Sequence, residues 1–451
     1  MTGTLGAPAP VGGLDDTPEG GSRLGWNLIG TLTGLLGIAA LAAWIQSSYF
    51  RVDVTGSISF YGADGMCPPP DGLGVHCWSD YSAIRFNSLT APPQNVEVMY
   101  PLSTRLIRIP FMIVENTAGF QAGLTAFIII SALAVLAPTA WAVWRVQWPL
   151  KPVVLTASCV VTMPFLVLLD RGNVIALSVP FVFLFLLALV RERPWLAVAC
   201  MIVASSIKPQ FMVLGLALVT LRYWRPAAVG FAGSGAVIVL PFLLMGDRWF
   251  SALTTWRDES LSWTGSQPLA GDWPPNLSLA KAVFESLQSF VDQPDSYFVR
   301  LTMVFIITLC VIIVSTGRHL HPLLVGTVFL VIACLTLSPA YAYYACFAIP
   351  VMALVFRLGF TPSALPSRWD RPITALLSAG LVVSLSPILI SVGIHGPAQL
   401  DGQVITSSLA PRLSSMIWML FLLVAATLSI VNWRSQLRAG SPVAEALGGH
   451  P

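Results

Sequence analysis

Six carboxylates, Asp53, Asp64, Asp71, Asp80, Glu97 and Glu115, fall within one polar stretch between residues 50 and 120. A partly desolvated carboxylate beside a hydroxyl makes a general base, so bond-making chemistry is most plausible here. Residue type alone does not rank the six, and most charges in so long a connection are simply solvated. A second signal is Lys208, one of only three lysines, which interrupts an apolar run as Ile207-Lys208-Pro209-Gln210. Inside a membrane an ammonium costs about 2.5–3.5 kcal/mol on insertion scales, so it needs a partner. A phosphate, a carboxylate such as Asp170, or a headgroup reached by snorkelling would each serve.

Asp170-Arg171-Gly172-Asn173 separates two apolar runs. Arginine grips phosphate through two parallel N–H bonds, and Asp170 can orient it. Asn173 suits a helix cap as well as a ligand. Tyr343 and Tyr344 fit a binding pocket, although tyrosines also gather at membrane interfaces. Arg85, Tyr100, Arg105 and Arg108 are further polar groups around the acidic stretch. Cys67 and Cys77, ten residues apart within it, can form a disulfide if that loop lies outside the cytoplasm. The other five cysteines sit in apolar runs, where a thiol behaves as a small hydrophobe. His76, His319, His321 and His395 show no metal-ligand spacing. There is no Walker loop, Asp-x-Asp dyad or Gly-x-Ser-x-Gly elbow. Neither a metal nor a nucleotide is implied.

These residues must be positioned by membrane helices. Of 451 residues 55% are hydrophobic and only 10% charged, whereas a soluble chain carries about a quarter charged. The net charge of +3 comes without a basic cluster, which argues against nucleic acid. Residues 1–24 read as a disordered tail without a basic n-region, so no cleavable signal peptide is expected. A spanning helix needs about twenty apolar residues. Runs near 25–48, 121–144, 152–169, 174–190, 195–207, 210–222, 226–245, 298–316, 322–339, 342–357, 373–394 and 412–432 are the candidates. The expected fold is therefore an all-α polytopic bundle of about twelve spanning or partly spanning helices. Arg145, Lys151, Arg191, Arg193, Arg222, Arg225, Arg318, Arg357, Arg368 and Arg371 all fall on one side of it. By the positive-inside rule that side is the cytoplasm, with both termini and the tail 433–451. Loops 50–120 and 246–297 then lie outside.

Two features break the serpentine. Runs 195–207 and 210–222 are each only about thirteen residues long, too short for a full crossing. They read as a helical hairpin with Lys208-Pro209-Gln210 at its tip. The segment 103–116 carries Arg105 and Arg108 one helical turn apart and reads as a helix in the outer interface, its arginines toward headgroups.

Trp78-Ser79-Asp80-Tyr81, an expected helix of about a dozen residues, then Met99-Tyr100-Pro101-Leu102 and an apolar helix resemble glycosyltransferase family 87. Asp170-Arg171-Gly172-Asn173 resembles its Gly-Gln/Asn element, and Ile207-Lys208-Pro209-Gln210 its Lys-Pro hairpin. Asn276-Leu277-Ser278-Leu279 is similar to its Asn-x-Ser-Leu segment. Ser338-Pro339 with Tyr341, Tyr343 and Tyr344 is similar to its Ser-Pro-aromatic element. The motifs occur in the family's order over residues 75–350.

The resemblance implies a GT-C fold and an inverting sugar transfer from a polyprenyl-phosphate carrier, with mannose the expected sugar. The acceptor would be a glycolipid or envelope glycan at the outer face of the plasma membrane. Asp80 would be the base, and Lys208, Arg171, Asp170, Asn173, Tyr343, Tyr344, Arg85 and Tyr100 would hold the substrates. The donor is itself the activated substrate, so no cofactor is expected. Residues 51–78 enlarge the loop before Asp80, and Tyr344 stands where many members have His. An arabinofuranosyltransferase is a rival within the fold. A transporter or lipid flippase is a rival from another class, although these usually show internal repeats.

Overall fold

The computed structural model describes residues 21–52, 54, 80–81, 100–263, 269, 276–291, 293–336, 340–360, 362, 368–386, 391–397, 404–408 and 410–439. Arg85, Cys67, Cys77 and Ser338-Pro339 lie outside the described residues, as do most of loop 50–120 and both distal tails.

The chain folds as an all-α polytopic membrane protein. Its helices, in order, are α1 (Arg23–Phe50), α2 (Leu102–Ala118), α3 (Phe120–Ala142), α4 (Leu150–Leu155), α5 (Met163–Arg171), α6 (Val179–Val190), α7 (Pro194–Ile207), α8 (Gly215–Thr220), α9 (Trp224–Val239), α10 (Trp249–Trp263), α11 (Leu279–Leu287), α12 (Asp295–Thr316), α13 (Pro322–Leu335), α14 (Ala348–Leu358), α15 (Asp370–Leu385) and α16 (Ala410–Ala439). Among the described residues five continuous helical stretches are long and apolar enough to cross a membrane, and five shorter apolar ones lie between them. The shorter ones include α13 and α14, in which every residue from Leu323 to Leu335 and from Ala348 to Phe356 is buried. A helix apolar on all sides belongs in the centre of a bundle. The long ones are half or less buried along their apolar windows and leave Ile130, Leu133, Val304 and Val311 exposed, as a lipid-facing wall should.

The hairpin at Lys208 follows from the glycines of α9. A Cβ at Gly230 would strike Met201, and one at Gly233 would strike Ile202, so α9 runs parallel to α7 in close contact. The intervening segment, a 3-10 turn Pro209–Leu214 followed by α8, must therefore carry the chain back to the end where α7 began. Pro209 causes the break: the residue before a proline is pushed out of the helical region, and Lys208 is extended at φ −140°, ψ 111°. Trp195 and Trp224 are exposed at the starting end of α7 and α9, beside Arg193, Arg222 and Arg225, as interfacial tryptophans are.

Three sequence readings are corrected. The run 152–169 is not one straight span: α4 passes through a π turn at Thr156–Val160 and meets α5 at 61°. Pro164 at the second position of α5 starts a new helix there. The run 373–394 ends as helix at Leu385 because Pro387 holds Ser386 extended. Ser391–Pro397 is instead a strand, β1, antiparallel to β2 (Val404–Ser408). Finally, α2 does not turn its arginines toward headgroups. Arg105 and Arg108 are 2% and 1% exposed, so its charged stripe faces the protein.

A second buried charge cluster fastens α11 to α16. Ser278 caps α11 by accepting from the Lys281 N–H. One turn on, Glu285 lies 3.5 Å from Lys281 Nζ and 2.8 Å from Arg412 Nε. Lys281 also donates to the Leu269 carbonyl at 3.3 Å. Glu285 is the anion that the buried Lys281 and the partly exposed Arg412 share, so Glu285→Leu is expected to destabilise the fold by about 1–3 kcal/mol, the cost of taking one partner from a buried polar group. Thermal unfolding in detergent measures this; an unchanged midpoint would show that the cluster carries no such weight.

Candidate active site

The site assembles from four separate parts of the chain. α5 ends at Arg171 because Gly172 takes the left-handed conformation (φ 64°) that closes a helix. Asn173 then caps the next turn, its Oδ1 accepting from the Ile175 N–H at 2.9 Å. This places a guanidinium and a carboxamide side by side. Glycine at 172 is required twice over, since a Cβ there would also meet Tyr81 Cβ at 2.9 Å.

Both groups converge on Asp80, which is 7% exposed. Arg171 Nη2 donates to Asp80 Oδ1 at 3.1 Å and its Nε to Oδ2 at 3.3 Å. Asn173 Nδ2 donates to Oδ2 at 2.7 Å and also reaches the Tyr100 hydroxyl at 3.4 Å. A carboxylate gripped on both oxygens has a fixed orientation, as a positioned base requires. Burial, with Asp80's charge added, pushes the Tyr100 phenol well above its ordinary value, so Tyr100 keeps its proton and is neutral.

Lys208 approaches from the hairpin tip. Its ammonium stands 4.2 Å above the Tyr100 ring and 5.9 Å from the Tyr344 ring, and it feels the charge of Asp80. Stacking of this kind contributes about 2 kcal/mol when desolvated. Among the described residues no carboxylate comes within 4 Å of it. Gln210, two residues on, lies beside the Tyr344 side chain. Tyr343 and Tyr344 stack at 4.9 Å between centroids, and Asp80's charge reaches both. Arg171 lies 5.8 Å over the Tyr341 ring.

Asn276 sits behind this wall. Its Oδ1 accepts from Ser278 N at 2.9 Å and Ala340 N at 3.0 Å, and Leu277 N donates to Ala340 O. That motif ties the tyrosine wall to α11. Asp170 is half-buried at the end of α5.

Asp80, Arg171, Asn173, Tyr100, Lys208, Tyr343 and Tyr344 are thus brought together. From the sequence Tyr81, Gln210 and Tyr341 entered only as members of the motifs, Arg108 only as a polar group near the acidic stretch and Glu115 only as one of six carboxylates; none was given a role in holding substrate. The spacing of Arg108 and Glu115, two helical turns apart on one face, was the available signal for the last two.

The model of glycosyltransferase family 87 matches residues 98–339, a stretch that begins after Asp80 and contains Tyr100, Arg171, Asn173, Lys208 and Asn276. No curated protein and no solved structure matches the chain. With more than half of its length matched, the chain belongs to glycosyltransferase family 87 and is a membrane glycosyltransferase.

Proposed function

We propose that this protein transfers a sugar, mannose, from a polyprenyl-phosphate carrier to a hydroxyl of an envelope glycolipid or glycan. The observation that carries the reading is a buried carboxylate, Asp80, oriented by Arg171 and Asn173 beside the buried Lys208. Asp80 removes the acceptor's hydroxyl proton while that oxygen attacks the anomeric carbon. The bond from that carbon to the phosphate oxygen breaks on the opposite face, its electron pair leaves with the lipid phosphate, and configuration inverts. As Asp80 takes up the proton its charge is cancelled, so the positive field of Arg171 acts more strongly on the departing phosphate. Lys208 supplies a second cation, so developing charge meets preorganised partners. The tyrosine wall gives the sugar ring flat surfaces to lie against. The donor arrives already activated, and the reading assigns no separate cofactor.

The hairpin tip and its partners lie at the end of α7 away from its arginine- and tryptophan-rich start. This supports a site facing outward from the plasma membrane with both termini cytoplasmic. The test is purified protein with polyprenyl-phosphate mannose, the arabinofuranose analogue and GDP-mannose in parallel. Transfer from the first alone is expected. Turnover with the nucleotide sugar alone would overturn the reading of the donor.

A further inference from the structure

Tyr81 follows Asp80 directly, and its side chain is held by a different set of groups. Arg108 Nη1 donates to the Tyr81 carbonyl at 2.7 Å, and its guanidinium lies 4.2 Å over the Tyr81 ring. Arg108 Nη2 donates to Glu115 Oε1 at 2.8 Å, and the Tyr81 phenol donates to the same oxygen. Burial, then the bond to Glu115, pushes that phenol above its ordinary value, so it keeps its proton. Arg108 and Glu115 side chains are 0% and 7% exposed. The ring is closed in by Phe127 at 4.8 Å and Phe120 at 6.0 Å. This is more than is needed to bury one tyrosine, and it clamps the backbone that carries Asp80.

The same helix grips the hairpin. Thr104 Oγ1 on α2 donates to the Ile207 carbonyl at 2.9 Å, immediately before Lys208. One helix therefore touches both the segment bearing Asp80 and the tip bearing Lys208. We propose that Arg108 and Glu115 are positioning residues, which hold Asp80 through Tyr81 at a set distance from Lys208. This rests on the reading of Asp80 as the base. Neither residue touches the reacting atoms; their effect is on where the carboxylate sits when the acceptor arrives. A displacement of about 1 Å in such a group costs up to about a hundredfold in rate.

A buried ion pair complicates the test, since removing one partner strands the other. Replacing both by apolar residues of similar size is often neutral or stabilising. Arg108→Met/Glu115→Leu therefore separates the two roles. The expected result is a folded enzyme whose donor and acceptor KM stay within about twofold while kcat falls about 10- to 100-fold, the pattern of an interaction that matters only in the transition state. Tyr81→Phe, which removes one hydroxyl, is expected to lower kcat about fivefold with KM unchanged. If the double variant does not fold, Tyr81→Phe decides, and wild-type kcat in it overturns the inference. A folded double variant with wild-type kcat overturns it equally. Asp80→Asn is measured alongside. If Asp80→Asn is dead and the double variant fully active, the positioning role alone falls. If Asp80→Asn turns over normally, the base reading falls and this inference falls with it.

Discussion

Asp80→Asn is expected to lower kcat by about 10²–10⁴, the range for loss of a general base, with donor and acceptor KM little changed. The substitution keeps the shape of the side chain and one acceptor oxygen, which Asn173 can still reach at the present 2.7 Å. It removes the charge that faces Arg171, itself 2% exposed. Stability therefore falls as well, and the rate must be read on the folded fraction, by size exclusion and thermal unfolding of the purified variant. A folded Asp80→Asn enzyme with more than about a third of wild-type turnover would remove Asp80 from the base role. The structure makes this test sharper than the sequence did. Glu115 is committed to Arg108 and Tyr81, so of the two carboxylates of the acidic stretch that are described, only Asp80 meets Arg171 and Asn173.

Lys208→Met should weaken donor binding and cut transfer by about 10²-fold, because developing charge on the leaving phosphate loses one of its two cations. Methionine keeps the apolar stem against Tyr100 while deleting the ammonium. Thermal stability should hold or rise, since the charge is costly in an apolar hairpin and meets aromatic rings rather than a carboxylate among the described residues. Lys208→Arg should restore only part of the rate, as a planar fork does not occupy the place of a point charge. Steady-state kinetics with polyprenyl-phosphate mannose checks all three. Unchanged donor KM and kcat in folded Lys208→Met would remove the phosphate role. A variant that unfolds while Lys208→Arg remains stable would assign the residue to the fold.

What the sequence determined by itself is what depends on neighbours in the chain. Apolar runs of membrane length predicted α1, α3 and α12 to within a few residues, and α16 apart from its last seven, because burial in hydrocarbon is decided by composition over a single helix. The break at Lys208 and the close at Gly172 follow from a proline's effect on the residue before it and a glycine's freedom at positive φ. Lys208 was conspicuous because a lone ammonium in such a run needs a reason.

Only the tertiary structure decided which of these parts meet. Arg171 and Asn173 lie 91 and 93 residues from Asp80 in the chain, and no local rule pairs them. The stripe of Arg105 and Arg108 on α2 was legible, but its direction was not. In a membrane protein a charged face is stable against headgroups or against buried partners, and only the position of Glu115 and Tyr81 selects the second. The helical breaks at Val160 and Leu385 have prolines behind them, Pro164 and Pro387, but the direction the chain takes after each, a second helix at 61° in one case and a strand in the other, was not legible in hydropathy. Hydropathy is a sum along the chain, whereas an ion pair is a coincidence in space.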